Sequence, residues 1–404
     1  MTQCPSLSGI ILAFTVLFFC LCKPIRAQNP QTPKLGKPKL LNSGEIEFTI
    51  LGDENRIFTL EASGNLQHWK PIFFDLTETT NLTITENLDR NTVARFYRSK
   101  SFPPNSATTE VHNGWLDSIW ISNGIVEVVI VPNIGRVMQF NFIGEEGPFW
   151  ENRSLDGQAP DPLSSSWKNF GGDKTWPAPQ ADWPAITPRS WPPPQAFDSM
   201  PVEAEIELGT VILTSPVDPH FGIRTIRRIQ LAPEHPVMKI TTTFEKVSGR
   251  ARRVSVWVVA QLKNPDRIYV PNLENSIYPR GFNIQSATPP PRMRIRNGFH
   301  TFWRDPGSSH KVGFDGETML WVGETQALKL YSPRSEGREY PDNNSSIEVY
   351  TNPDPDAYIE FETLGPLHTM NSGDRIHQTN IYTLYRRLEH SADKEAIRIL
   401  TPLD

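Results

Sequence analysis

The chain has 404 residues, 38% of them hydrophobic, with 37 prolines and 25 glycines, a turn-rich make-up that excludes a helical bundle and a polytopic membrane protein. A formal net charge of −5 gives no basic surface for nucleic acid. Cys4, Cys20 and Cys22 are the only cysteines, so the chain beyond residue 22 can form neither a disulfide nor a cysteine metal site.

Residues 7–22, LSGIILAFTVLFFCLC, are an uncharged apolar run followed by KPIRAQ, the pattern of a secretory signal peptide (1–27) cut after Ala27. A retained membrane anchor and a lipid on Cys20 or Cys22 are the alternatives. Export without disulfides suits a bacterial envelope protein. The expected location is therefore the periplasm or the cell exterior, with no stable membrane insertion after cleavage.

From 33 to 100 short alternating runs such as EIEFTI, IFTLEAS, NLTIT and ARFYR are separated by turn residues, predicting a small β-sandwich. Trp69, Phe96 and Tyr97 are its packing residues, although Phe96 and Tyr97, as neighbours on a strand, must point to opposite faces. The FTLEASGNLQHWKPI and RFYR segments resemble the fibronectin type III-like modules of secreted Verrucomicrobia proteins. That resemblance implies a spacer or surface-interaction module without catalytic residues. SFPPNSATTE, 101–110, reads as a linker.

A second, larger all-β domain is expected over 111–390. Its strand-like runs begin with IWISNGIVEVVIVP and GRVMQFNFIG and resume with VEAEIELGTVILTSP, FGIRTIRRIQL, VMKITTTFEKV and RRVSVWVVAQL, followed by six more between 311 and 385. Together they predict a large antiparallel sandwich. Residues 391–404 form a C-terminal tail, in which Ser391 would cap a short amphipathic helix.

Between two of these groups, residues 145–200 hold five tryptophans and many prolines with almost no alternation, and a long excursion of that kind is usually functional. At its centre lies NFGGDKTWPAPQ, 169–180. Gly171 and Gly172 permit a tight turn, and Pro177 and Pro179 stiffen the segment after it. The stretch fits the rim of a sugar site, with Trp176 against the ring face and Asp173, Lys174 and Gln180 at its hydroxyls. It equally fits a proline-rich loop packed across a sheet, anchored by Trp176.

VVIVPNIGRVMQF, GGDKTWPAPQ, VSVWVVAQL, GREYPDN and YIEFETLGP together resemble the DUF4380 family, which is grouped with galactose mutarotase-like supersandwich proteins. The resemblance implies a carbohydrate groove across the larger sheet and, in catalytic members, a glutamate base with a histidine acid. Glu362 is placed most like that base; Glu360, two residues away, shares its strand face. The histidine's place is taken by Gln261, which cannot transfer a proton, so Lys174 is the remaining candidate acid. Arg136 is expected nearby. His220, His235, His300 and His310 read as surface or strand-end residues. Asp354 and Asp356 in NPDPDAY read as a turn before a calcium loop. No metal or other cofactor is implied. The expectation is an exported carbohydrate-binding protein, with an aldose epimerase-like enzyme using Glu362 as the first alternative and a structural surface protein as the second.

Overall fold

The computed structural model describes residues 32–87, 95–161 and 166–401; the signal-peptide reading therefore lies outside the described residues. Strands account for 49% and helices for 8% of the structure, as the alternating runs require. The fold is all-β.

At the N-terminus two small antiparallel sheets face each other. One is centred on Glu45–Leu51, the other on Arg56–Ser63, which pairs with Lys70–Thr77 and Phe96–Phe102. Phe48, Ile50, Phe58, Leu60 and Ile84 fill the space between them. Tyr97 packs on Phe48 at 4.5 Å while Phe96 is exposed, the opposite orientations that strand geometry demands. This unit is docked on the rest of the chain. Ile57 and Phe74 share a cluster with Ala232 and Val237, and Asp75 accepts from Gln230 and pairs with Lys239. Fully buried Glu61 faces His235 at 2.7 Å. The segment read as a linker shrinks to three residues, because Phe96–Phe102 ends just before β1 (Ser106–His112). Its threonines, read as linker composition, are β-branched residues on an edge strand.

Two large antiparallel sheets form the main body. The wider one contains β1, β2 (Trp115–Ser122), β3 (Val126–Val131), β4 (Arg136–Phe142), β5 (Asp173–Ala178), β6 (Arg252–Lys263), β7 (His310–Phe314), β8 (Ile347–Thr351) and β9 (Tyr358–Leu364). Their spatial order is β7-β8-β9-β6-β5-β4-β3-β2-β1. The second sheet is built around Ile223–Leu231, Val237–Lys246 and Arg375–Arg386. Ile121, Val128, Phe140, Ala260 and Phe361 of the first sheet pack against Leu213, Ile229, Ile240, Leu328 and Leu384 of the second. Every other residue of the first sheet's strands therefore points outward, away from the core between the sheets.

The tail read at 391–404 is a docked helix, Ala392–Leu400. Ala396 and Ile399 pack on Tyr269, Leu320 and Val322. Ser391 makes no side-chain cap bond; instead Glu395 accepts from the N–H groups of Leu388 and Glu389 at 3.4 and 3.1 Å. Among the described residues no helix is long and apolar enough to cross a membrane.

Candidate functional site

The glycine-tryptophan stretch is a strand, not a rim. β5 lies between β4 and β6 and is buried along its whole length. It pairs with β4 only at Asp173, so its later edge is free to carry Pro177, which has no N–H to offer a ladder. The turn before it is equally enclosed. Gly171 and Gly172 have φ of 95° and 67°, and a Cβ on Gly171 would stand 2.2 Å from the Trp150 carbonyl oxygen. The glycines admit a neighbouring backbone, not a ligand.

Because successive residues of a strand alternate, Asp173 and Lys174 part company. Asp173 points between the sheets, where it accepts from Arg227 and from the Tyr382 hydroxyl. It leaves the candidate site and joins the two layers instead. Lys174 and Trp176 point outward. Gln180 opens a 3-10 turn beyond the strand, six residues from Lys174, and does not join them.

Register places further charges on this outward face. Lys174 is opposite Val259 on β6, Val259 is opposite Glu362 on β9, and Glu362 is opposite Glu348 on β8. One step along, Gln261 faces Glu360, which faces Tyr350. Lys311 on β7 reaches into the row, 2.8 Å from both Glu348 and Glu362. Glu362 also accepts the Trp257 indole N–H at 2.8 Å, and Lys311 lies 4.7 Å from that ring's centroid. The expected base is thus held by an ammonium and an indole.

Glu360 is held more loosely. Its carboxylate accepts from the Gln261 amide at 2.8 Å and stands 3.9 Å from the Lys174 ammonium. Lys174 is fully buried and makes no hydrogen bond among the described residues; the Gln261 side-chain amide oxygen is also without a hydrogen bond. Burial lowers Lys174 to about 8, with Glu360 opposing. Burial raises Glu360 to about 7, with Lys174 opposing, and raises Glu348 to about 8. Access lies at the Glu360 end: Glu360 retains 7% of its surface, the Lys311 side chain 20%, and Tyr350 is half-buried.

The tryptophans of the excursion close the other end. Trp176 is edge-on to Trp167, Trp183, Trp191 and Trp257, with centroids 5.0–6.3 Å apart. Only 3% of it is exposed, so its role is that of the anchor in a packed loop and not of a stacking platform. Its indole N–H donates to Asp198 at 2.9 Å, as do Arg136 at 2.9 Å and Trp167 at 3.1 Å. Arg136 also donates to the Gly171 carbonyl at 2.7 Å. Arg136 is therefore a clamp on the loop. Trp150, half-buried, packs on Tyr358 at 4.7 Å beside Glu360.

Beside the row, Asp342, Asn343 and Asn344 all have left-handed φ of 52°, 59° and 75°. The Tyr278 hydroxyl donates to the Asn343 carbonyl, and the Ser345 hydroxyl to the Asp342 carbonyl, both at 2.9 Å. Such consecutive strain persists where the surroundings over-determine it. The Asp342 carboxyl is raised by burial and by Glu362, against the pull of Lys311.

Sequence reasoning brought together Lys174, Trp176, Gln261, Glu360 and Glu362, with Arg136 close by, and missed Lys311, Glu348, Trp257, Tyr350 and Asp198. Glu348 alternates with apolar Ile347 and Val349, and Lys311 stands between His310 and Val312, patterns that also describe a solvated strand face. Only the pairing of β7, β8 and β9 reveals that they meet. Two of the histidines read as surface or strand-end residues do stand at or near strand starts but are buried. His300 is buried in the second sheet and lowered to about 4 by that burial. His310 is buried and bonded to Asp305 at 3.1 Å; it precedes Lys311 on β7 and so points to the opposite face. Asp354 accepts from Arg304 at 2.8 Å.

No protein-family profile and no curated protein matches the sequence. Among solved structures the chain is similar to a galactose mutarotase-like protein from Lactobacillus casei (9% identity, TM-score 0.45, 66% of this chain and 100% of the other). It is also similar to a galactose 1-epimerase from Lactobacillus acidophilus (12% identity, TM-score 0.41, 70% and 99%). A TPR-domain containing protein from Parabacteroides distasonis aligns over 90% of this chain and 57% of its own, at 12% identity and a TM-score of 0.45. These likenesses give no residue its role.

Proposed function

We propose that the protein binds carbohydrate on the outward face of its wider sheet, at the Glu360 end of the buried polar row. One observation carries this reading: strands far apart in sequence direct lysines, glutamates and amides to one face, and leave the Lys174 ammonium and the Gln261 side-chain amide oxygen without a hydrogen bond among the described residues. Burying such groups without partners costs free energy, so a purely structural sheet has no use for them. Glu360, Lys311 and Tyr350 supply acceptors and donors for hydroxyls, and Trp150 supplies a half-exposed ring beside them.

Proton transfer is a second reading, favoured by the Lys174–Glu360 pair. A carboxyl near 7 beside an ammonium near 8 is matched to acid–base work at neutral pH. On this reading Glu360 replaces Glu362 as the base, since Glu362 is already engaged by Lys311 and Trp257. Lys174 is a positioning residue behind Glu360, being enclosed. The resemblance to DUF4380 and to a fibronectin type III-like module belongs to the same proposal, as does export with cleavage near Ala27, which mass spectrometry of the natural N-terminus would test.

A glycan array followed by polarimetry on each bound sugar separates the readings. Binding without a change in optical rotation beyond the spontaneous rate is expected for a binding protein. Accelerated mutarotation that Glu360→Gln removes would establish the enzyme, and a protein that binds no glycan would contradict both.

A further inference from the structure

Past β4, on the same outward face, lies a separate cavity of about 380 Å³, within the size range of small-molecule sites. Trp120 of β2, Glu127 of β3, Gln139 and Asn141 of β4, and Trp150 and Glu151 from the excursion line it. Its charges are already answered. Glu151 accepts from Gln139 at 2.8 Å and from Asn113 at 2.7 Å and faces His112 at 2.9 Å. Glu127 accepts from Asn141 at 2.8 Å. Lys263 and Arg153, which also line it, are paired with Glu146 at 3.0 Å and Asp156 at 2.8 Å, so an anion would have to displace those carboxylates and a cation the donors that Glu151 and Glu127 already hold.

The groups left unfilled are neutral: the Trp120 indole N–H, a donor only, and the Gln139 amide oxygen, an acceptor only, both buried without a hydrogen bond among the described residues. A hydroxyl donates and accepts, so a ligand bearing several hydroxyls satisfies both, and two half-exposed indoles suit the apolar faces of its rings. Trp150 joins this cavity to the first site, since it packs on Tyr358 and its backbone N–H donates to the backbone carbonyl of Gln261 at 2.9 Å. Glu360 on β9 and Gln139 on β4 are three strand spacings apart, roughly 14 Å at ~4.8 Å each.

We propose that this cavity is a second subsite, for another neutral sugar residue, so that the ligand is an oligosaccharide lying across β9, β6, β5 and β4. The inference rests on the carbohydrate reading above and adds the length and neutrality of the ligand.

The test uses immobilised neutral mono-, di- and tetrasaccharides with the parent protein and three variants, Trp120→Ala, Gln139→Leu and Glu360→Ala. Trp120 and Gln139 are half-exposed, and the leucine keeps most of the glutamine's volume, so at least that variant is expected to fold. The parent should hold tetrasaccharides about tenfold or more tighter than monosaccharides. Trp120→Ala and Gln139→Leu should lower tetrasaccharide affinity to the monosaccharide level and leave the latter unchanged. Affinity indifferent to length, or a length effect that both variants keep, would overturn the second subsite while loss of monosaccharide binding in Glu360→Ala upheld the first. A parent that binds no neutral glycan overturns both.

Discussion

At the scale of single residues, Lys311 and Glu360 are the two positions on which the row depends, in different ways. Lys311 pairs with two buried glutamates, Glu348 and Glu362. Removing one partner of a buried ion pair leaves an uncompensated charge, so Lys311→Met should cost about 3–5 kcal/mol in urea unfolding. A loss under about 1 kcal/mol would mean that the carboxylates left behind reach water. Glu360 acts through its proton. Its carboxyl is raised from 4.5 to about 7, so between those values the folded state holds a proton that the unfolded state has released. Stability contributed by this group is present below the unfolded value and is lost as pH rises through the folded one. Thermal melts of Glu360→Gln and the parent should therefore diverge in the variant's favour as pH goes from about 4.5 to 7. A constant difference across that window would show the carboxyl to be ionised throughout. Lys174 runs the other way: its proton is released near 8 in the folded state and near 10.5 in the unfolded state, so its penalty is relieved as pH rises from about 8 to 10.5.

At the scale of elements, β5 shows where sequence patterns succeed and where they stop. The strands of the second sheet alternate visibly because one face is buried and the other is not. β5 does not, because its Asp173 side enters the inter-sheet core and its Trp176 side lies under the tryptophan loop; a strand covered on both faces has no period to read. That single reversal moved Asp173 from the site into the Arg227–Tyr382 network and turned Trp176 from a ligand platform into a packing residue. The shared face of Glu360 and Glu362 was legible, since it needs only their spacing. Their meeting with Lys311 was not, since it depends on β7 pairing with β8 and β8 in turn with β9. Two consequences can be measured. Trp176→Ala should reduce unfolding free energy by about 3–5 kcal/mol, as core Trp truncations do, whereas a folded variant of parental stability would return Trp176 to the surface. Gly171→Ala should give little folded protein, because its Cβ would overlap the Trp150 carbonyl oxygen and its φ is left-handed; normal yield would contradict the enclosed turn.

At the scale of the whole molecule, the N-terminal unit is fastened by apolar and charged contacts together. Ile57 and Phe74 enter a cluster with Ala232 and Val237, and Glu61 is buried facing His235. Its small size makes independent stability marginal, so calorimetry should show one unfolding transition for both parts. Two separated transitions would mean that the contacts are too weak to couple them. The site itself lies on the far larger sheet, where the non-local pairing of β5, β6, β7, β8 and β9 assembles it. The decisive measurement is a crystal structure of the protein with the tightest-binding neutral sugar from the array. A sugar hydroxyl is expected within hydrogen-bond distance of the Glu360 carboxylate, beside Tyr350 and Trp150; a sugar bound on the N-terminal unit or on the second sheet, with Glu360 untouched, would contradict a site at the Glu360 end of the row.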